Sequence, residues 1–176
     1  MGLQLPGSAA RWWLTLLISG AVIGFIVQQA YAFATSPDAQ AKIRKQFESQ
    51  PALQMVLPST PRELRVYRAA VVTAGICEEV LYRGYLLWYF QSLVPGSVAI
   101  AVAILAFGVA HAYQGMRGIL STGIAGAIAM AVYLLTGSLL APILLHAALD
   151  VVNGFTIYLV FRGTAATGAR NEVSPM

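Results

Sequence analysis

Apolar residues come in long unbroken runs separated by short polar breaks, a helical membrane pattern without the strict alternation of strands. Residues 12–34, from Trp12-Trp13-Leu14 to Tyr31-Ala32-Phe33-Ala34, form the first run, and a bilayer-crossing helix needs about 20 residues. Ala30-Tyr31-Ala32 resembles a signal-peptidase site, but the run exceeds the ~7–15 residues of a signal core, which predicts a retained helix. In the polar interval 35–61, Ser36-Pro37-Asp38 signals a helix start. Lys42, Arg44 and Lys45 then interleave with Ile43 and Phe47 before Pro51 interrupts. This predicts an amphipathic segment lying on the lipid surface.

Thr60-Pro61-Arg62-Glu63 opens the longest predicted helix, with proline in the first turn. It runs to about Phe90, its first turns carrying Arg62, Arg65 and Arg68, with Ala69 onward entering lipid. Pro95-Gly96 turns the chain into a third run over 98–113, and 114–118 connects to a fourth over 119–136. There Gly118, Thr122 and Gly126 recur every four residues, as do Gly123, Ala127 and Ala131, a spacing that lets helices approach closely. Gly137-Ser138 breaks the run, and Pro142 opens a last helix to about Phe161. The predicted fold class is therefore all-α: a polytopic helical membrane protein of about five transmembrane helices plus an interfacial amphipathic helix. Its expected parts are an N-terminal transmembrane helix (1–34), an interfacial segment (35–61), a membrane core (62–162) and a loose tail (163–176).

Composition strengthens the membrane reading. The chain is 58% hydrophobic and 10% charged, against roughly 25% charged in soluble domains. The net charge of +4 does not imply nucleic acid, because the basic residues flank apolar runs instead of forming one patch. The positive-inside rule explains them. With 35–68, 114–118 and the tail on the cytoplasmic side, Lys42, Arg44, Lys45, Arg62, Arg65, Arg68, Arg117, Arg162 and Arg170 all lie inside. Arg11 lies outside and Arg83 within the membrane, so the N-terminus is expected out and the C-terminus in. The single cysteine, Cys77, excludes an internal disulfide framework and reads as a small packing residue.

Candidate chemistry concentrates in Cys77-Glu78-Glu79-Val80-Leu81-Tyr82-Arg83-Gly84. Charges at such depth are costly, face the protein interior and usually serve a function. Glu79 and Arg83 stand one helical turn apart, where an ion pair forms; Glu78 has no partner within its own helix and is available for chemistry. The chain's two histidines also fall in apolar helices: His111 four residues after Phe107, and His146 four before Asp150, on one helix face. A buried carboxylate with imidazoles nearby can hold and deprotonate a water, as general acid–base catalysis requires. Each group also has a packing explanation: a satisfied core histidine, a structural ion pair, an interhelical anchor of His146 and Asp150.

Two other chemistries compete. Zinc would take Glu78, His111, His146 and a water, although no His-Glu-x-x-His signature is present. Serine hydrolysis lacks a setting such as Gly-x-Ser-x-Gly around Ser121 or Ser138. Because His146 follows Pro142 by only about a turn, Glu78, His111 and His146 meet only if the last helix begins deep. That requires 137–141 to turn inside the protein, as non-helical backbone does where it is buried.

The three motifs Glu78-Glu79-x-x-x-Arg83, Phe107-x-x-x-His111 and His146-x-x-x-Asp150, in this order on successive apolar helices, resemble the CPBP family. This is the CAAX-protease and bacteriocin-processing family, also called Abi, of intramembrane glutamate endopeptidases. The resemblance covers about residues 58–160. It implies a metal-independent endopeptidase, without cofactor, that hydrolyses a peptide bond near the cytoplasmic membrane face. By it, Glu78 activates water with His111, His146 and Asp150 stabilise the oxyanion, and Glu79 and Arg83 hold the site in shape. Many members carry Asn where this chain has Asp150; an ionised Asp cannot donate a hydrogen bond, so it must be protonated or orient His146 instead. The implied partners are membrane lipid and a peptide or protein substrate, membrane-bound or lipidated, in a prokaryotic cytoplasmic membrane. The alternative within the same fold is a non-catalytic membrane binding or immunity protein, or a zinc-dependent peptidase.

Overall fold

The computed structural model describes residues 7–48 and 57–162. The expected tail 163–176 and the middle of the polar interval, 49–56, lie outside the described residues. Every regular element among the described residues is helical: α1 (Ala9–Ala34), α2 (Pro37–Glu48), α3 (Pro61–Glu79), a π-helical stretch (Val80–Leu86), α4 (Leu87–Gln91), α5 (Gly96–Ala110), a 3-10 turn (Ala112–Gln114), α6 (Gly115–Thr136) and α7 (Leu140–Phe161).

Local signals explain the helix starts. The Ser36 hydroxyl accepts the Ala39 N–H at 3.3 Å, capping α2 with Pro37 at its first position. At α3 the Thr60 hydroxyl accepts the Glu63 N–H at 3.2 Å, while Glu63 reaches back to the Ser59 N–H at 2.8 Å and the Thr60 N–H at 3.3 Å. These reciprocal bonds make a capping box. They hold the exposed Glu63 carboxyl below the usual carboxylate range, chiefly through the Ser59 N–H and hydroxyl.

The predicted long helix exists as α3, the π stretch and α4 in direct succession. At the end of the π stretch the Leu87 N–H bonds the Tyr82 carbonyl, five residues back. Such wider turns often occur at functional sites. Among the described residues, three segments are long and apolar enough to cross a membrane: Ala9–Ala34, Ala112–Thr136 and Leu140–Phe161. Helix α5 is apolar but has 15 residues, about 22 Å at ~1.5 Å per residue.

The chain divides into two compact units. The first comprises Met1–Val22 and Ala74–Ala147. Its apolar core joins Leu87, Ala99, Ala103 and Met130, with Phe90, Ile104 and Tyr133 packed around them. Small residues bring α5 onto α6: a Cβ on Gly108 would lie 3.0 Å from the Ile119 carbonyl oxygen and 3.3 Å from the Gly123 Cα. Between α6 and α7, Gly137 takes φ +68°, a left-handed conformation that closes a helix without the strain a side chain brings. Arg11 lies against Gly137, at the helix end where a cation suits the macrodipole. Ser138, Leu139, Ala141 and Pro142 are buried, and the Ser138 hydroxyl accepts the Leu140 N–H at 3.2 Å. Helix α7 thus begins inside its unit, with Gly137 the exposed point of the turn.

The second unit comprises Ile23–Thr73 and Ala148–Met176. Here arginines from the polar interval and from α3 meet the end of α7. The Arg44 guanidinium donates to the Val160 carbonyl and lies 5.6 Å from the Phe161 ring centroid; Arg68 lies 5.6 Å from that of Phe155. Gly154 admits Tyr67, whose ring carbon would stand 2.1 Å from a Cβ there.

Candidate active site

Glu78, Glu79, Arg83, His111 and His146 all belong to the first unit and converge there. Glu79 and Arg83 are 0% and 1% exposed. Arg83 Nη1 donates to Glu79 Oε1 at 2.8 Å, and Nη2 donates to the Gly126 carbonyl at 2.8 Å. The same Glu79 oxygen lies 2.8 Å from His146 Nδ1. Glu79 therefore bridges Arg83 and His146, a role its one-turn spacing from Arg83 did not announce. A buried charge needs both pairing and hydrogen bonds to be tolerated; the triad provides both at Glu79 Oε1, while Oε2 is buried with no hydrogen-bond partner among the described residues.

Glu78 stands on the neighbouring face. Its Oε2 lies 3.8 Å from His146 Nε2 and 4.0 Å from His111 Nε2, and it accepts no hydrogen bond from the described residues. Its side chain is 31% exposed. The Glu78 side chain is thus part-exposed, with its Oε2 turned into the interior, while Glu79 is sealed. Close packing permits the approach: Gly75 is buried, and a Cβ there would touch the His146 ring and the Ala147 nitrogen at 3.5 Å.

His111, expected late in the run over 98–113, stands where that helix stops. It is the residue that ends α5, with φ −95° and ψ 17°, before the 3-10 turn and Gly115 at φ +77°. Its Nδ1 lies 2.9 Å from the Phe107 carbonyl oxygen, an acceptor, so Nδ1 carries the proton. By the same argument His146 Nδ1 carries the proton toward the Glu79 carboxylate. Both Nε2 atoms consequently face Glu78.

Asp150 lies four residues beyond His146 on α7, half-buried, in the second unit. Cys77 is exposed. Among the described residues, no group of three or more His, Cys, Asp or Glu side chains is arranged to hold a metal ion. Two glycines also shape the site: Gly126, whose carbonyl receives Arg83, and Gly75, which admits His146. The recurrence of small residues marked Gly126 as a packing site only.

Apolar helices of spanning length, in a chain that also buries a glutamate–histidine cluster, define an integral membrane protein. Residues 60–152 match the family described as type II CAAX prenyl endopeptidase Rce1-like. The chain belongs to this CAAX protease family, in agreement with the resemblance carried by its three motifs. No curated protein and no solved structure matches the chain significantly.

Proposed function

We propose that the chain is a metal-independent intramembrane endopeptidase in which Glu78 activates water for attack on a peptide bond. The observation that carries this reading is the approach of both Nε2 atoms to one Glu78 oxygen, at 3.8 and 4.0 Å. Such separations exceed a direct hydrogen bond and lie within reach of one bridging water; because Oε2 is itself buried, the part-exposed Glu78 side chain must turn to admit it.

The proton inventory follows from the two Nδ1–H groups. With both locked on acceptors, an ionised Glu78 and two neutral Nε2 atoms present three acceptors to one water, which has two protons. A productive cluster therefore holds one further proton. His146 is its proper seat, because the Glu79 carboxylate across the ring stabilises an imidazolium. In the reaction, the water oxygen attacks the carbonyl carbon while its proton passes to Glu78, with His111 orienting the water. The oxyanion accepts a hydrogen bond from His146 Nε2–H, the kind of preorganised donor that contributes most to acyl transfer. Glu78 then delivers its proton to the departing nitrogen as the C–N bond breaks. Asp150 supports His146 or, protonated, donates to the oxyanion. Glu79, Arg83 and Gly126 keep His146 in place.

The family description supports a peptide substrate, and the membrane-spanning helices support one presented from lipid, near the cytoplasmic face. Five spans with the N-terminus outside remain the topology favoured by the basic residues. Full-length protein in nanodiscs, offered a peptide library that includes farnesylated peptides ending in a CAAX sequence, should cleave a subset with and without a zinc chelator. Loss of cleavage on chelation would support the zinc reading. Absence of any cleavage would support a non-catalytic membrane protein of this fold.

A further inference from the structure

We propose that Phe107 is a positioning residue whose ring sets both imidazoles at once. The inference rests on the catalytic reading above for its consequence, but not for its geometry. The buried ring has its centroid 4.9 Å from that of His111 and 5.9 Å from that of His146, the latter at 79°. Its centroid also lies 4.5 Å from the Arg83 guanidinium carbon and 5.1 Å from the Tyr82 ring, which it meets edge-on. These separations fall in the range of favourable aromatic and cation–π pairs. The backbone of the same residue receives His111 Nδ1.

A second element makes room for the ring. A Cβ on Gly126 would lie 2.8 Å from Phe107 Cδ1, so α6 is bare where Phe107 enters. The two Nδ1 bonds fix one atom of each imidazole and leave its plane free to tilt, which swings Nε2 away from Glu78. The Phe107 ring removes that freedom for both, and its contact with Arg83 holds the guanidinium on Glu79 and Gly126.

The chain has two histidines, both at the site, so an imidazole ¹⁵N spectrum of histidine-labelled protein reports it without overlap. In the parent His111 should appear as the single Nδ1–H tautomer and His146 as one sharply defined species with Nδ1 protonated. Phe107→Met keeps the backbone acceptor and much of the volume but lacks the ring. It should give averaged or broadened signals from both rings, with kcat reduced on the order of 10²-fold, as small misplacements cost, and KM within about twofold. If Phe107→Met fails to fold, Phe107→Leu supplies the test, removing the ring while keeping the backbone acceptor, with the same direction of change. A folded variant with the parent's imidazole spectrum overturns the proposal, and so does an altered spectrum with unchanged kcat. If the parent cleaves no peptide, the catalytic reading has failed on its own, and the spectrum still decides whether Phe107 places the histidines.

Discussion

Among the described residues, three arginines lie over phenylalanine rings, and they do different things. In the second unit, Arg44 and Arg68 lean on Phe161 and Phe155 at 5.6 Å, with Arg44 exposed and Arg68 half-buried. In the first, Arg83 is 1% exposed, sits 4.5 Å from the Phe107 centroid and is bonded to Glu79 and Gly126. Water can still solvate Arg44 and part of the Arg68 guanidinium, whose Nε is buried without a hydrogen-bond partner among the described residues, so their contacts tie helix to helix at a smaller energetic stake. Arg83 has no such recourse. Every polar contact it makes is needed, and each ties it to the residues around Glu78. The contrast teaches that burial, more than the kind of contact, determines whether a charge can be removed without collapse.

The sharpest test of that contrast is Glu79→Gln. It leaves Arg83 without its counter-charge in a sealed position, and breaking a buried pair typically costs about 3–5 kcal/mol. Denaturation in detergent micelles should show a loss of that size; a variant as stable as the parent would break the comparison. Arg68→Met removes a half-buried cation from an aromatic face and should cost about 0.5–1 kcal/mol by the same measurement. A loss as large as that of Glu79→Gln would erase the distinction between the units.

The smallest effect belongs to Glu63, outside the apolar spans. Its folded carboxyl titrates lower than in the unfolded chain, so the stability it adds is present above the unfolded value. That contribution disappears as pH falls through the lower, folded value. Amide exchange at Leu64 and its neighbours should therefore quicken below the ordinary carboxylate range. Glu63→Gln should flatten that dependence; an unchanged pH profile would refute the capping role.

The apolar runs announced the helices because lipid-facing and buried positions both demand apolar side chains. The cap of α3 was legible because Thr60 and Glu63 act within one turn of each other. The Glu79–Arg83 pair was legible for the same reason. The π-helical stretch was not, since a shift from a four- to a five-residue hydrogen bond changes no residue type. Nor was the end of α5 at His111, because the residue that marks the change of direction, Gly115, comes four positions later. The bridge from Glu79 to His146 spans 67 residues and depends on the turn at Gly137 burying the start of α7. A backbone carbonyl as acceptor, as at Gly126, leaves no mark in the sequence at all.

The central claim is that Glu78 is the base that activates water. The direct test is Glu78→Gln in nanodiscs, comparing cleavage of a peptide the parent cuts with the thermal unfolding midpoint. The account predicts a fall in rate of about 10²–10⁴-fold, the usual contribution of a general base, with an unchanged midpoint. Cleavage at the parent's rate by the folded variant would contradict it.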